Sequence, residues 1–170
     1  MAITRIGSNQ LINLASNITG TLPTGNGGSG RTAVTGNVLQ VVTNTHATRF
    51  TTSSTSFVAA TGYTIAITPS ATSSKIFVMV SSMMDTGASS RTIYATFYRD
   101  GSDIIGDAEG IGVSYSGGAR IYTPVTISTL DSPSTTSAVT YQVYVRAGGG
   151  AVVFNDSEGK AQLTAFEIAG

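Results

Sequence analysis

Val139-Thr-Tyr-Gln-Val-Tyr-Val-Arg146 places Val139, Tyr141, Val143 and Val145 at every second position, with Thr140, Gln142, Tyr144 and Arg146 between them. Successive side chains of an extended backbone point to opposite faces, so this run reads as a strand with one face in a core and one toward water. Tyr63-Thr-Ile-Ala-Ile-Thr68 repeats the pattern, with Tyr63, Ile65 and Ile67 on one side. Ile76-Phe-Val-Met-Val80 breaks it, being apolar on both faces, and such a strand must be covered on both. In a two-sheet sandwich one cover is the facing sheet and the other can be a neighbouring subunit. Phe77 and Met79 are therefore the candidate residues of a subunit interface.

The pattern extends over most of the chain. Runs rich in β-branched and aromatic residues fall at 38–43, 48–52, 57–59, 63–68, 75–82, 91–99, 111–115, 119–130, 139–146, 151–154 and 162–168, separated by Gly, Pro, Asp, Asn and Ser. Asp100-Gly101, Gly117-Gly118, Gly148-Gly149-Gly150 and Glu158-Gly159 supply the positive-φ positions of tight reversals. No segment after Val38 keeps helical periodicity beyond one turn. The expectation is an all-β, antiparallel two-sheet sandwich or barrel of about eight to ten strands. Pro124 cannot donate to a ladder, so its strand belongs at a sheet edge or carries a bulge.

Composition changes near residue 35. Leu11, Leu14, Ala15 and Ile18 fall at helical spacing, with Ser8 available as an N-cap, which predicts a marginal helix of one or two turns. The glycine-rich stretch 19–30 after it reads as a linker. Residues 1–35 are thus expected to form an N-terminal arm and residues 36–170 a single β domain. A short helix with exposed apolar side chains needs a surface to dock on, and Ile3, Ile6, Leu11, Leu14 and Ile18 are the candidate anchors.

Lys and Arg total 9 and Asp and Glu total 9, so no net charge draws the chain toward nucleic acid or an anionic membrane. Charged residues make up only 11% of the chain, and a surface this poor in charge suits one covered by copies of itself or by a larger assembly. The absence of cysteine excludes disulfides, thiolate metal sites and a cysteine nucleophile. No apolar run approaches the ~20 residues of a membrane-spanning helix, and the start lacks the layout of a secretory signal, so the protein is expected to be made and kept soluble.

Candidate chemistry is sparse. His46 is the single histidine, lies between two strand-like runs without a nucleophile motif, and is expected in an exposed loop. One imidazole without cysteine cannot supply the usual zinc ligands. Asp100, Asp103, Asp107 and Glu109 lie within ten residues and read as solvated turn carboxylates; calcium is the alternative their oxygens could support, although EF-hand spacing is missing. Gly25-Asn-Gly-Gly-Ser-Gly30 lacks the Lys-Ser or Lys-Thr of a phosphate loop. The tyrosines and phenylalanines carry no accompanying basic stripe, which speaks against nucleic acid. The chain is expected to be no enzyme and to need no cofactor.

Asn13-Leu-Ala-Ser-Asn-Ile-Thr-Gly-Thr-Leu-Pro-Thr-Gly-Asn-Gly-Gly-Ser-Gly30 resembles a linker common in tail fibres and related virion proteins of tailed phages. Phe97-Tyr-Arg-Asp-Gly-Ser-Asp-Ile104, Leu130-Asp-Ser-Pro133, Tyr141-Gln-Val-Tyr-Val-Arg146 and Leu163-Thr-Ala-Phe-Glu-Ile-Ala-Gly170 resemble knob domains of phage and cyanophage structural proteins. The resemblance implies a jelly roll similar to that of tumour necrosis factor, a homotrimer, and service as a capsid cement or decoration protein or as a fibre tip. Fibre proteins carry longer N-terminal regions, and a short arm suits a protein clamped on the outer surface of a capsid. The expected partners are two further copies of the chain and the major capsid protein. The alternative is a tail-fibre or head-fibre tip whose loops at 85–90 or 104–110 contact a host-surface glycan or receptor.

Overall fold

The computed structural model describes residues 35–156 and 159–170. They form eleven strands: β1 (Val38–His46), β2 (Phe50–Thr52), β3 (Val58–Ile67), β4 (Lys75–Asp85), β5 (Arg91–Arg99), β6 (Ser102–Asp103), β7 (Gly112–Ser116), β8 (Tyr122–Asp131), β9 (Val139–Ala147), β10 (Val152–Phe154) and β11 (Ala161–Ile168). No helix occurs among the described residues. The arm, with its expected helix and its anchors Ile3, Ile6, Leu11, Leu14 and Ile18, lies outside them.

Two antiparallel sheets result. The first has the order β1-β11-β4-β10-β2, with β8 on the other edge of β4; the second has the order β3-β9-β5-β6, with β7 also on β5. In the first sheet β11 pairs with β4 from Lys75 to Ser81, and β10 takes over at Met84 and Asp85. The alternation seen in the sequence sets which side chains meet between the layers. Ile76, Val78, Val80, Met84, Leu163, Ala165, Ile127 and Phe154 join Ile65, Ile67, Ile93, Ala95, Phe97, Tyr141, Val143 and Val145 in one buried cluster. Each large apolar side chain covered this way contributes about 1.5–3 kcal/mol.

Pro124 lies on β8, which pairs only with β4 among the described strands, so the proline's missing N–H falls at a sheet edge as expected. Asp100 (φ 49°) and Gly101 (φ 80°) join β5 to β6 in a tight hairpin, the two positive φ values being those a type I′ turn requires. The runs at 57–59 and 63–68 form one strand rather than two: β3 changes register on β9 between Ala59 and Thr64, and Gly62 sits inside that bulge at φ 86°.

His46 is not in an exposed loop. Pairing with β11 carries β1 on to His46, opposite Ala161. The half-buried imidazole meets the Tyr63 ring edge-on at 4.5 Å between centroids. It also lies against the bare Cα of Gly62, where an added Cβ would come within 2.1 Å of His46 Cε1.

Glu167 places a carboxylate at an inward position of β11. Glu167 continues the buried series Leu163, Ala165 on β11 and is 1% exposed. Its Oε1 accepts from Ser70 N (2.6 Å), Ser70 Oγ (2.6 Å) and Ser74 Oγ (2.7 Å), and its Oε2 accepts from Gln40 Nε2 (2.7 Å). Burial pushes the carboxyl upward, but these hydrogen bonds to the charged form together outweigh it and hold the pKa down at about 2. The cluster ties the β3–β4 connection and β1 to the end of β11.

Candidate functional site

Antiparallel register lines up side chains on the face of the first sheet that points away from the core. Val41, Phe166, Phe77 and Leu130 form one row across β1, β11, β4 and β8. Thr43, Thr164, Met79 and Ser128 form the next, and Thr45, Gln162, Ser81 and Thr126 the third. Phe77 and Phe166 lie 6.0 Å apart between ring centroids, while Val41 and Leu130 at the two flanks are each 52% exposed. Val38 and Leu39 extend the apolar area at the start of β1.

None of these twelve row positions carries a charge. Lys75, opposite Ile168, lies at one end of β4. At the other end Asp85 is fully buried and pairs with Arg120, whose Nε donates to Asp85 Oδ1 at 2.8 Å while Nη2 bonds Oδ2. Burial raises the Asp85 carboxyl, but the hydrogen bonds from Arg120 and from Gly87 N and the Arg120 charge bring it below the usual carboxylate range. Between these ends the rows present aromatic, aliphatic and hydroxyl side chains, with Lys160 beside Ser81 and Gln162 at the border of the third, a composition suited to another protein surface of the same character.

The structure brings Phe77 and Met79 together at the centre of this face. Val41, Phe166 and Leu130 had no comparable signal, because a single apolar residue at an outward position is ordinary and these three join Phe77 only when β1, β11, β4 and β8 lie side by side. What could have marked them is an apolar residue at a position that the alternation assigns to solvent.

The acidic residues do not converge. Asp100 Oδ1 accepts from Thr140 N (2.8 Å), Asp103 Oδ1 from Ile105 N and Gly106 N (2.9 and 3.1 Å), and Asp107 Oδ1 from Glu109 N (2.7 Å). These carboxylates brace turns, all four acidic residues are exposed, and among the described residues no three potential metal ligands come together. Of the two loops expected to meet a glycan, 85–90 begins with the buried Asp85 and Thr86, and 104–110 is fastened by Arg146, which donates to Ala108 O through Nε (3.0 Å) and Nη2 (2.7 Å).

The fold and this face define an antiparallel β-sandwich with an uncharged, partly apolar outer surface. No protein-family model matches the chain, and no curated protein matches it.

Proposed function

We propose that this chain is a non-enzymatic virion structural protein of a tailed phage. In this reading it is a homotrimeric capsid cement or decoration protein, associating with its copies through the outer face of the first sheet and docking its N-terminal arm on the major capsid protein. The observation that carries the reading is the uncharged row structure centred on Phe77. Covering apolar surface of this kind is favourable by about 25 cal/mol per Å². The neighbouring Thr and Ser rows add no cost of burying charge.

The resemblance of residues 13–30 to virion linkers supplies the setting. Three arms on one body raise the effective concentration of each once the first has docked, so weak individual contacts sum to firm attachment. The strand order supports a jelly roll: with the short β2, β6 and β10 set aside, the sheets run β1-β11-β4-β8 and β3-β9-β5-β7. His46, the single imidazole, is committed to packing on Tyr63, in keeping with a non-enzymatic role.

Quantitative mass spectrometry of purified particles against the major capsid protein tests the assignment, with about one chain per capsid subunit expected for a shell-wide protein and a far lower ratio placing it on fibres or tail. A protein lacking residues 2–30 should remain assembled and no longer bind shells. Undiminished decoration by the truncated protein would remove the arm from the account. Tyr94, Tyr98 and Tyr144, at outward positions of β5 and β9 in the second sheet, are the observation that favours the alternative of a tail-fibre or head-fibre tip that binds a host-surface receptor.

A further inference from the structure

The outer face of the second sheet is built from different chemistry. Register places Arg146, Tyr94 and Val113 in one row, Ala59, Tyr144 and Thr96 in the next, and Thr64, Gln142, Tyr98 and Asp103 in the third. Tyr115, opposite Thr92, stands at the β7 edge and is 62% exposed. Four of the chain's seven tyrosines therefore share one face, whereas the first sheet presents Phe, Met, Leu and Val.

Three of these rings, Tyr94, Tyr98 and Tyr144, are held by neighbouring side chains. Tyr98 and Tyr144 stack with centroids 3.8 Å apart and planes 12° from parallel. The Arg146 guanidinium lies 3.6 Å from the centre of the Tyr94 ring and 5.4 Å from that of Phe57. A ligand meeting such side chains has little rotamer freedom left to freeze.

The third row narrows the ligand. Tyr98 is flanked in register by Gln142 on one strand and Asp103 on the other, an aromatic ring between an amide and a carboxylate. A pyranose ring is complementary to that set: its C–H face lies on an aromatic ring, and its hydroxyls meet an amide and a carboxylate that are each fixed by one atom, Gln142 Nε2 donating to Ala60 O (3.3 Å) and Asp103 Oδ1 accepting from Ile105 N and Gly106 N. Tyr98, Tyr144 and Gln142 all remain partly exposed, and Asp103 is exposed. We infer that the outer face of the second sheet, centred on Tyr98 and Tyr144 with Gln142 and Asp103 at its rim, is a carbohydrate-binding surface that takes pyranose rings of an oligosaccharide. The rim carboxylate and the engagement of Arg146 with Tyr94 and Ala108 disfavour a polyanion such as nucleic acid. One open surface of this kind binds weakly, and copies on one particle multiply it. The inference holds for a shell protein and for a fibre tip alike.

Full-length protein applied to immobilised oligosaccharides ending in hexoses, N-acetylhexosamines or uronates tests it, with bound sugars then titrated in solution. Tyrosine emission serves as the signal, unobscured because the chain has no tryptophan. At least one sugar is expected to bind saturably, with Tyr98→Ala weakening it about tenfold or more and Gln142→Leu or Asp103→Asn, which keeps the Oδ1 acceptor of the turn, about three- to tenfold. The two rim variants keep the test decisive if Tyr98→Ala fails to fold. Absence of binding to wild-type protein at about 10 mM sugar, or binding indifferent to the rim variants, overturns the inference. So does a change of oligomer mass in Tyr98→Ala with sugar binding intact, which would assign the face to a second copy. Failure here leaves the particle copy number, and with it the assembly reading, unaffected.

Discussion

Glu167 shows how a single buried charge can organise a chain end. Its four short hydrogen bonds come from Gln40, Ser70 and Ser74, and removing the acceptor would leave buried donors unpaired. Folding lowers its pKa from 4.5 to about 2, so its contribution to stability is complete above pH 4.5 and is lost as pH falls from there to 2. Glu167→Gln is expected to lose about 1–3 kcal/mol at neutral pH and to show a shallower fall of melting temperature across that acid window. Equal slopes in variant and wild type would show that the carboxylate does not supply this pH dependence. Sequence could not reveal this residue's role: its partners lie 93 to 127 positions away, and a glutamate following Leu163 and Ala165 in the inward register gives no local sign of being caged. By contrast the inward positions Ile65, Ile67, Tyr141 and Val143 were legible, because alternation depends only on neighbours in the chain.

At the scale of elements, β3 is the instructive case. Its bulge lets the strand change register on β9 without leaving the sheet, and Gly62 makes the bulge possible by accepting φ 86° and by leaving room for the His46 ring. Gly62→Ala is therefore expected to destabilise the protein by about 1–3 kcal/mol, and His46→Ala in the same chain should recover only the steric part of that loss. Full recovery in the double variant would mean that the backbone is not strained at this position. The sequence divided β3 in two because Thr61-Gly62 interrupts the apolar pattern, and the interruption is the bulge itself. The edge position of β8 was readable from Pro124 because a missing N–H has the same consequence in every sheet. The two-residue β6 is too short for periodicity to define, and the three-residue β2 fills only the second part of the run at 48–52. Their pairing is fixed by β10 and by the Asp100-Gly101 turn.

For the whole molecule, the two outer faces have different compositions, and each composition points to its own partner. The first is uncharged and joins Phe77, Phe166, Val41 and Leu130 into one apolar row, while the second sets tyrosines among polar groups. Phe77 and Met79 could be singled out from the sequence because β4 is apolar on both sides. The rest of the face emerges only when four strands distant in sequence are placed side by side. Leu130 offers the cleanest probe, since at 52% exposure a polar replacement should leave the single chain within about 0.5 kcal/mol of wild type. The most direct measurement is the native mass of the full-length protein and of Leu130→Asp. Wild type is expected at three times the 17.4 kDa chain mass and the variant as a folded single chain. A wild-type monomer, or a Leu130→Asp protein that stays trimeric, would contradict association through the outer face of the first sheet.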